Sequence, residues 1–188
     1  KVKGRENIDR KKSYVFVANH QGAFDIFLIY GFLGVPIKWV MKAGIAKIPF
    51  VGAACRAAGF IFVDNSTPKA AARSVLEAER SLKNGASVVV FPEGSRTYNG
   101  KMIRFKKGAY QMAADQHLQI VPITLNGPFD VLPIGSLNVH RHKWSFIRLS
   151  RPKGWMLPIK DCSRWLTKHK TSLRQPYGSN INNLFPGF

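Results

Sequence analysis

An α/β fold, with a mixed but mostly parallel sheet flanked by helices, is what three features of this sequence predict. Apolar runs of strand length alternate with segments of helical spacing over roughly the first 150 residues. One run, Val88-Val89-Val90-Phe91 after Ser87, is continuously apolar, as expected of a strand buried on both faces of a covered parallel sheet. Residues capable of chemistry fall where strands end: His20, Asp64 and Arg96 each follow such a run, and in a parallel sheet the carboxyl ends open on one crevice.

The elements follow in order. Lys1 to Lys12 is a basic, polar lead-in to the strand Tyr14–Ala18. Ala23 to Leu33 carries Phe24, Phe27, Leu28 and Phe32 at near-helical spacing and is predicted as a helix, ended by Gly34-Val35-Pro36. Ile37 to Met41 reads as a second strand with Lys42 at its exit. Ile48 to Gly52 is apolar with a backbone break and leads into a short alanine-rich helix ending near Ala58; it suits core, a lipid-facing surface or an acyl channel equally. Gly59 to Val63 is a strand ending on Asp64. Thr67 as cap and Pro68 at the first helical position start a helix to about Lys83, closed by Asn84-Gly85. After the strand Ser87–Phe91 and a basic loop, 101–107, come a helix from Gly108 to Gln116 and a strand from Ile120 to Leu125. Pro122 lacks an N–H and assigns that strand to an edge or a bulge. Val139–His142 and Trp144–Leu149 read as short final strands.

A chain of 188 residues with 45% apolar content supports one sizeable core. Residues 1–150 read as the functional domain and 151–188 as a basic tail without sustained period. No uncharged apolar stretch reaches the ~18 residues needed to span a bilayer. The chain begins at Lys1 rather than methionine, so an anchoring segment ahead of it is compatible with the sequence. A net charge of +19 calls for a polyanion: nucleic acid, an anionic membrane or a phosphorylated substrate. Cys55 and Cys162 lie too far apart for a zinc knuckle, and His140 and His142 have no neighbouring ligands in sequence, so no metal or other cofactor is expected.

The chemistry concentrates in Asn19-His20-Gln21-Gly22-Ala23-Phe24-Asp25. A spacing of five separates two side chains on a continuous helix, whereas a bend between strand and helix lets Asp25 reach back to His20. A carboxylate on one imidazole nitrogen fixes the tautomer and leaves the other nitrogen as a base. This motif, followed by Gly59-Phe60-Ile61-Phe62-Val63-Asp64, Phe91-Pro92-Glu93-Gly94-Ser95-Arg96-Thr97 and Val121-Pro122-Ile123, resembles in order and spacing the glycerolipid acyltransferases, most closely the bacterial 1-acylglycerol-3-phosphate acyltransferases, from about Gly4 to Leu149.

The resemblance implies a glycerol-3-phosphate acyltransferase-like fold and assigns roles. His20 and Asp25 become the catalytic pair. Glu93, Gly94, Ser95 and Arg96 bind the substrate phosphate with Arg96 as its clamp, Lys42 adds a cation near the phosphate or acyl carbonyl, and Asp64 is a possible acceptor-site residue. Ser95 replaces a more usual threonine and keeps the hydroxyl. Asn65 stands where arginine is usual, and Ala43-Gly44 follow Lys42 where the family has a lysine-acid pair. Arg104, Lys106 and Lys107 are further phosphate partners or, alternatively, a solvated basic loop.

The implied reaction moves a fatty acyl group from acyl-CoA or acyl carrier protein to lysophosphatidic acid, giving phosphatidic acid. It takes place at an anionic membrane surface, on the cytoplasmic face of the cell membrane, with the apolar segments 26–37 and 48–60 as candidate lipid or acyl contacts. Another acceptor, glycerol-3-phosphate or a different lysolipid, is the alternative within the family. A basic nucleic-acid-binding protein is the alternative outside it. The sequence shows no RNA-recognition aromatic signature, zinc finger or basic recognition helix, so no nucleic acid is expected.

Overall fold

The computed structural model describes residues 2–64, 66–82, 86–106, 108–132, 134–135, 138–140 and 146–149. The expected tail, 151–188, and the sequence-predicted strand residues Arg141 and His142 lie outside these. Seven strands form one sheet: β1 (Val2–Lys3), β2 (Tyr14–Ala18), β3 (Ile37–Lys42), β4 (Ile61–Val63), β5 (Ser87–Val90), β6 (Gln119–Asn126) and β7 (Phe146–Leu149), in the order β1-β7-β6-β2-β5-β3-β4. The neighbours from β6 through β4 are all parallel; β7 runs antiparallel to β6, and β1 pairs parallel with β7. The predicted mostly parallel α/β sheet is therefore the one observed.

Strand alternation sends successive β2 side chains to opposite faces. Tyr14, Phe16 and Ala18 join Ile29 and Leu33 of helix α1 (Phe24–Leu33), whereas Val15 and Val17 join Ala78 of α3 (Pro68–Leu82) and Ala109, Tyr110, Met112 and Ala113 of α4 (Gly108–Asp115). The sheet is thus covered on both faces, which explains the unbroken apolarity of β5. Two shorter helices, α2 (Val51–Ala57) and α5 (Pro128–Val131), and two 3₁₀ turns, Arg5–Asn7 and Ala43–Lys47, complete the described elements. Thr67 caps α3 as expected, its Oγ1 accepting the Ala70 N–H at 3.1 Å.

Three sequence expectations change. Pro122 does not put β6 at an edge: β6 lies between β2 and β7, Pro122 is in register with Val17, and the described ladder to β7 begins only at Ile123, one residue past the missing donor. The lead-in contains a strand, Val2–Lys3, too short to carry a period and held by its pairing with Ile147 and Arg148. Val139 and His140 are irregular rather than strand; the His140 N–H bonds instead to the Val131 carbonyl at 2.8 Å. The strand expected over Trp144–Leu149 is present over Phe146–Leu149, and Trp144 and Ser145 lie outside the described residues.

The crossover from β2 goes by α1 to β3 on one side, and that from β5 goes by α4 to β6 on the other. Adjacent strands whose connections leave in opposite directions define a topological switch point, where the loops part and a crevice opens. Just past the end of β2, Asn19 keeps the sheet closed on the β6 side. Its Nδ2 donates to the Leu125 carbonyl at 3.0 Å and its Oδ1 accepts the Leu125 N–H at 2.7 Å, with the side chain buried. Asn19→Ala leaves the Leu125 N–H without that acceptor, and the expected cost is about 1–3 kcal/mol, measurable as a lower urea midpoint at unchanged m-value.

Candidate active site

The register places the site. Val17 pairs with Val90, so the chain three residues on from each brings His20 beside Glu93, and Trp39 opposite Val89 brings Lys42 out beside the same loop. The bend between β2 and α1 is drawn together by Asp25, which lies in the first turn of α1 and is fully buried. Its Oδ2 accepts the Gln21 N–H at 2.6 Å and the Gly22 N–H at 3.0 Å, and meets His20 Nδ1 at 2.6 Å. With the carboxylate accepting, Nδ1 carries the hydrogen and Nε2 keeps a lone pair. Gly22 has no alternative here, since a Cβ would stand 2.9 Å from the Pro128 carbonyl oxygen. Gln21 is also buried and donates to the Leu125 carbonyl at 2.8 Å, so the whole turn is seated on β6.

The imidazole rests on Phe91, with ring centroids 3.9 Å apart and planes at 12°. Phe91 stacks in turn on Trp39 at 5.6 Å, and Trp39 on Tyr30 at 6.3 Å. His20 remains 18% exposed at its side chain, open on a cleft of about 730 Å³. Lys42, Gly94, Ser95, Arg96 and Lys106 line the same cleft, together with an apolar wall that includes Ile26, Trp39, Met41, Ile45, Val63 and Met112. Among the described residues lining it there is no carboxylate. Gly94 adopts φ +73°, and a side chain there would place its Cβ 2.9 Å from Lys106 Nζ, so the bare glycine leaves room for that ammonium.

His20, Lys42, Gly94, Ser95 and Arg96 are thus brought to one cleft, as their strand-end positions predict, and Asp25 holds the histidine from below. Two candidates lie elsewhere. Glu93, expected at the substrate phosphate, does not line the cleft: it is 3% exposed and points inward, Oε1 accepting the His20 N–H at 2.8 Å and Oε2 the Ile103 N–H at 2.9 Å. Burial raises its carboxyl above the ordinary glutamate value, against the opposing effect of those two amides and the His20 charge. Asp64, the possible acceptor-site residue, is exposed and outside the cleft lining; it accepts the Ser66 N–H at 2.8 Å, and the Ser66 amide and hydroxyl hold its carboxyl below the ordinary value. By sequence Phe91 is only a strand end, and Lys106 is either a phosphate partner or part of a solvated loop. The aromatic after a run of valines was the available signal for the first, whereas nothing local distinguished Lys106 from Arg104.

A mostly parallel α/β sheet thus carries a histidine–aspartate pair beside three cations at its switch point. The acyltransferase family matches residues 1–126, and the chain belongs to that family. It is 36% identical over 142 residues to a chloroplastic 1-acyl-sn-glycerol-3-phosphate acyltransferase of Arabidopsis thaliana, an alignment covering 75% of this chain and 40% of that protein. It is 35% identical over 126 residues to the 1-acyl-sn-glycerol-3-phosphate acyltransferase of Pseudomonas aeruginosa, covering 66% and 48%. The chain therefore spans less than half the length of these curated relatives. The crystal structure of the 1-acyl-sn-glycerophosphate acyltransferase from Thermotoga maritima superposes with a TM-score of 0.73 at 29% identity, covering 95% of this chain and 73% of that one.

The raised Glu93 carboxyl has a thermodynamic sign. A folded-state pKa above the unfolded value contributes stability that is full below the unfolded value, 4.5, and is lost as pH rises through the raised folded value. Denaturant unfolding across that window should show this component in the native protein and not in Glu93→Gln.

Proposed function

We propose that this protein transfers a fatty acyl group from a thioester, acyl-CoA or acyl carrier protein, to the sn-2 hydroxyl of lysophosphatidic acid, giving phosphatidic acid. The observation that carries this reading is that His20, its Nδ1 held by Asp25 at 2.6 Å, shares one otherwise apolar cleft with Lys42, Arg96 and Lys106. A phosphomonoester brings up to two negative charges, and three cations without a carboxylate among the lining residues suit it; Arg96 offers the planar fork for bidentate contact.

In the proposed reaction the acceptor hydroxyl hydrogen-bonds to His20 Nε2. Its proton passes to the imidazole as the oxygen attacks the thioester carbonyl carbon. Asp25 stabilises the resulting imidazolium, and the Phe91 ring beneath it favours the cation as well. The tetrahedral intermediate collapses by breaking the C–S bond, and the imidazolium returns the proton to the thiolate. A base so placed contributes roughly 10²- to 10⁴-fold in rate. The apolar wall of the cleft supplies a dry path for acyl chain.

The proposed place of action is the cytoplasmic face of a cell membrane. Among the described residues no helix is long and apolar enough to cross a bilayer. Support for a surface-bound domain comes from apolar side chains turned outward: Phe27 is 69% and Tyr30 55% exposed on α1, and Phe50, before α2, is 90% exposed. Phe50 is held at φ +60°, a region that aromatic residues rarely occupy, and the turn presents its ring rather than hiding it. Lys47, at the end of the 3₁₀ turn Ala43–Lys47 and three residues before Phe50, adds basic charge to this segment, worth about 1 kcal/mol near anionic lipid.

An assay with long-chain acyl-CoA or acyl carrier protein thioester and a panel of lysolipids and glycerol-3-phosphate tests the activity. His20→Ala should lower turnover at least about 10²-fold in folded protein. Arg96→Ala should raise KM for lysophosphatidic acid about 10- to 100-fold, the value of a charge-assisted bond. Strict preference for an acceptor without phosphate would remove the assignment. For the membrane, Phe50→Ser should weaken sedimentation with anionic vesicles about 10-fold or more, the loss of one buried aromatic ring, while leaving the far-ultraviolet spectrum unchanged.

A further inference from the structure

Beyond the last paired residues of β2 and β5, Val17 and Val90, the two strands no longer hold one another, and the crevice opens there. His20 nevertheless has both main-chain groups occupied. Its N–H donates to Glu93 Oε1 at 2.8 Å, and its carbonyl accepts the Thr97 N–H at 3.0 Å. The ladder is continued by a side chain and a loop amide. The other Glu93 oxygen takes the Ile103 N–H at 2.9 Å, three residues before Lys106, whose own N–H is fixed to the Pro92 carbonyl at 2.8 Å. One buried carboxylate therefore ties the histidine backbone to the segment that carries Lys106 over Gly94.

From this geometry we infer that Glu93 is a positioning residue for His20 rather than a ligand of the substrate phosphate, and that it sets the histidine relative to the cationic side of the cleft. Two N–H donors converge on it from different segments, one on each oxygen, and an amide offers only one acceptor. Glutamine thus retains the shape but turns an NH₂ group against one of the two main-chain donors. Among the described residues no lysine or arginine pairs with Glu93, so its buried charge is sustained by these amides and the neighbouring histidine. A carboxylate aimed into the cleft would repel a phosphate; turned inward, it leaves the phosphate to the cations.

The kinetic part of the test rests on the acyl-transfer reading; the spectroscopic part does not. The His20 imidazole, identified by its loss in His20→Ala, is followed by nitrogen and carbon chemical shifts during a pH titration, and inorganic phosphate binding is measured on the same proteins. Glu93→Gln should displace the His20 ring signals and shift their titration midpoint by about half a unit or more, while the phosphate Kd changes by less than about threefold. Arg96→Ala should leave the His20 signals in place and weaken phosphate about tenfold. With acyl donor and lysophosphatidic acid, Glu93→Gln should lower kcat about tenfold or more at nearly unchanged acceptor KM. Glu93→Asp, which keeps the charge and withdraws its reach, should displace the same His20 signals. Unmoved His20 signals in either folded Glu93 variant overturn the inference, as does a phosphate Kd altered tenfold. Failure of both Glu93 variants to fold overturns it too, in favour of a purely structural role. Absence of acyl transfer in the native protein, with the His20 displacement observed, would dismiss the reaction and leave the positioning role standing.

Discussion

Asp25 Oδ2 receives the Gln21 and Gly22 amides as well as His20 Nδ1, and the described site depends on that convergence. The oxygen closes the turn from strand to helix, so the atoms that orient the imidazole also fold the backbone that carries it. Its position in the first turn of α1 is favourable for a negative charge, because unpaired N–H groups and the helix dipole face that end. The aspartate is fully buried, and this convergence of donors is what makes burial tolerable. A short strand, a tight turn and an apolar helix are thereby held as one unit.

That unit works because of where the sheet puts it. β2 is flanked by β6 and β5, and its carboxyl end is seated from both sides: Asn19 and Gln21 are bonded to Leu125 on one, and the His20 backbone is held by Glu93 and Thr97 on the other. His20 thus stands on the middle of the sheet rather than on a free loop. The cations reach it from β3 and from the connection after β5, so the cleft has a rigid floor and walls of separate origin.

The regular part of the fold was legible because its signals are local. The helix after Thr67-Pro68 and the valine run of β5 are written in adjacent residues, and the strand-end placement of His20, Lys42 and Arg96 follows once the sheet is parallel. What escaped depends on residues far apart in sequence. Val2–Lys3 becomes a strand only by meeting β7, and Pro122 is tolerated inside the sheet because the described β7 ladder starts one residue later. The same limit applied to the site. Glu93 and Arg96 sit three apart in one motif, yet one faces the interior and the other the cleft, a division set by the turn at Gly94 and by the distant Ile103 amide. Asp64 ended its strand as expected but turned back on Ser66.

The contacts that Glu93 makes fall on peptide groups, not on side chains. Ile103, a residue 40% exposed, contributes its amide, and Thr97 holds His20 through its own main-chain N–H. Any residue other than proline can offer such an amide. The amides themselves ask little of the residues that supply them, whereas Gly94, at φ +73°, and Thr97, buried with its Oγ1 donating to the Lys101 carbonyl at 2.7 Å, hold the path of the loop. Three residues that line the cleft, Gly94, Ser95 and Arg96, are thus interleaved between two that seat His20, Glu93 and Thr97.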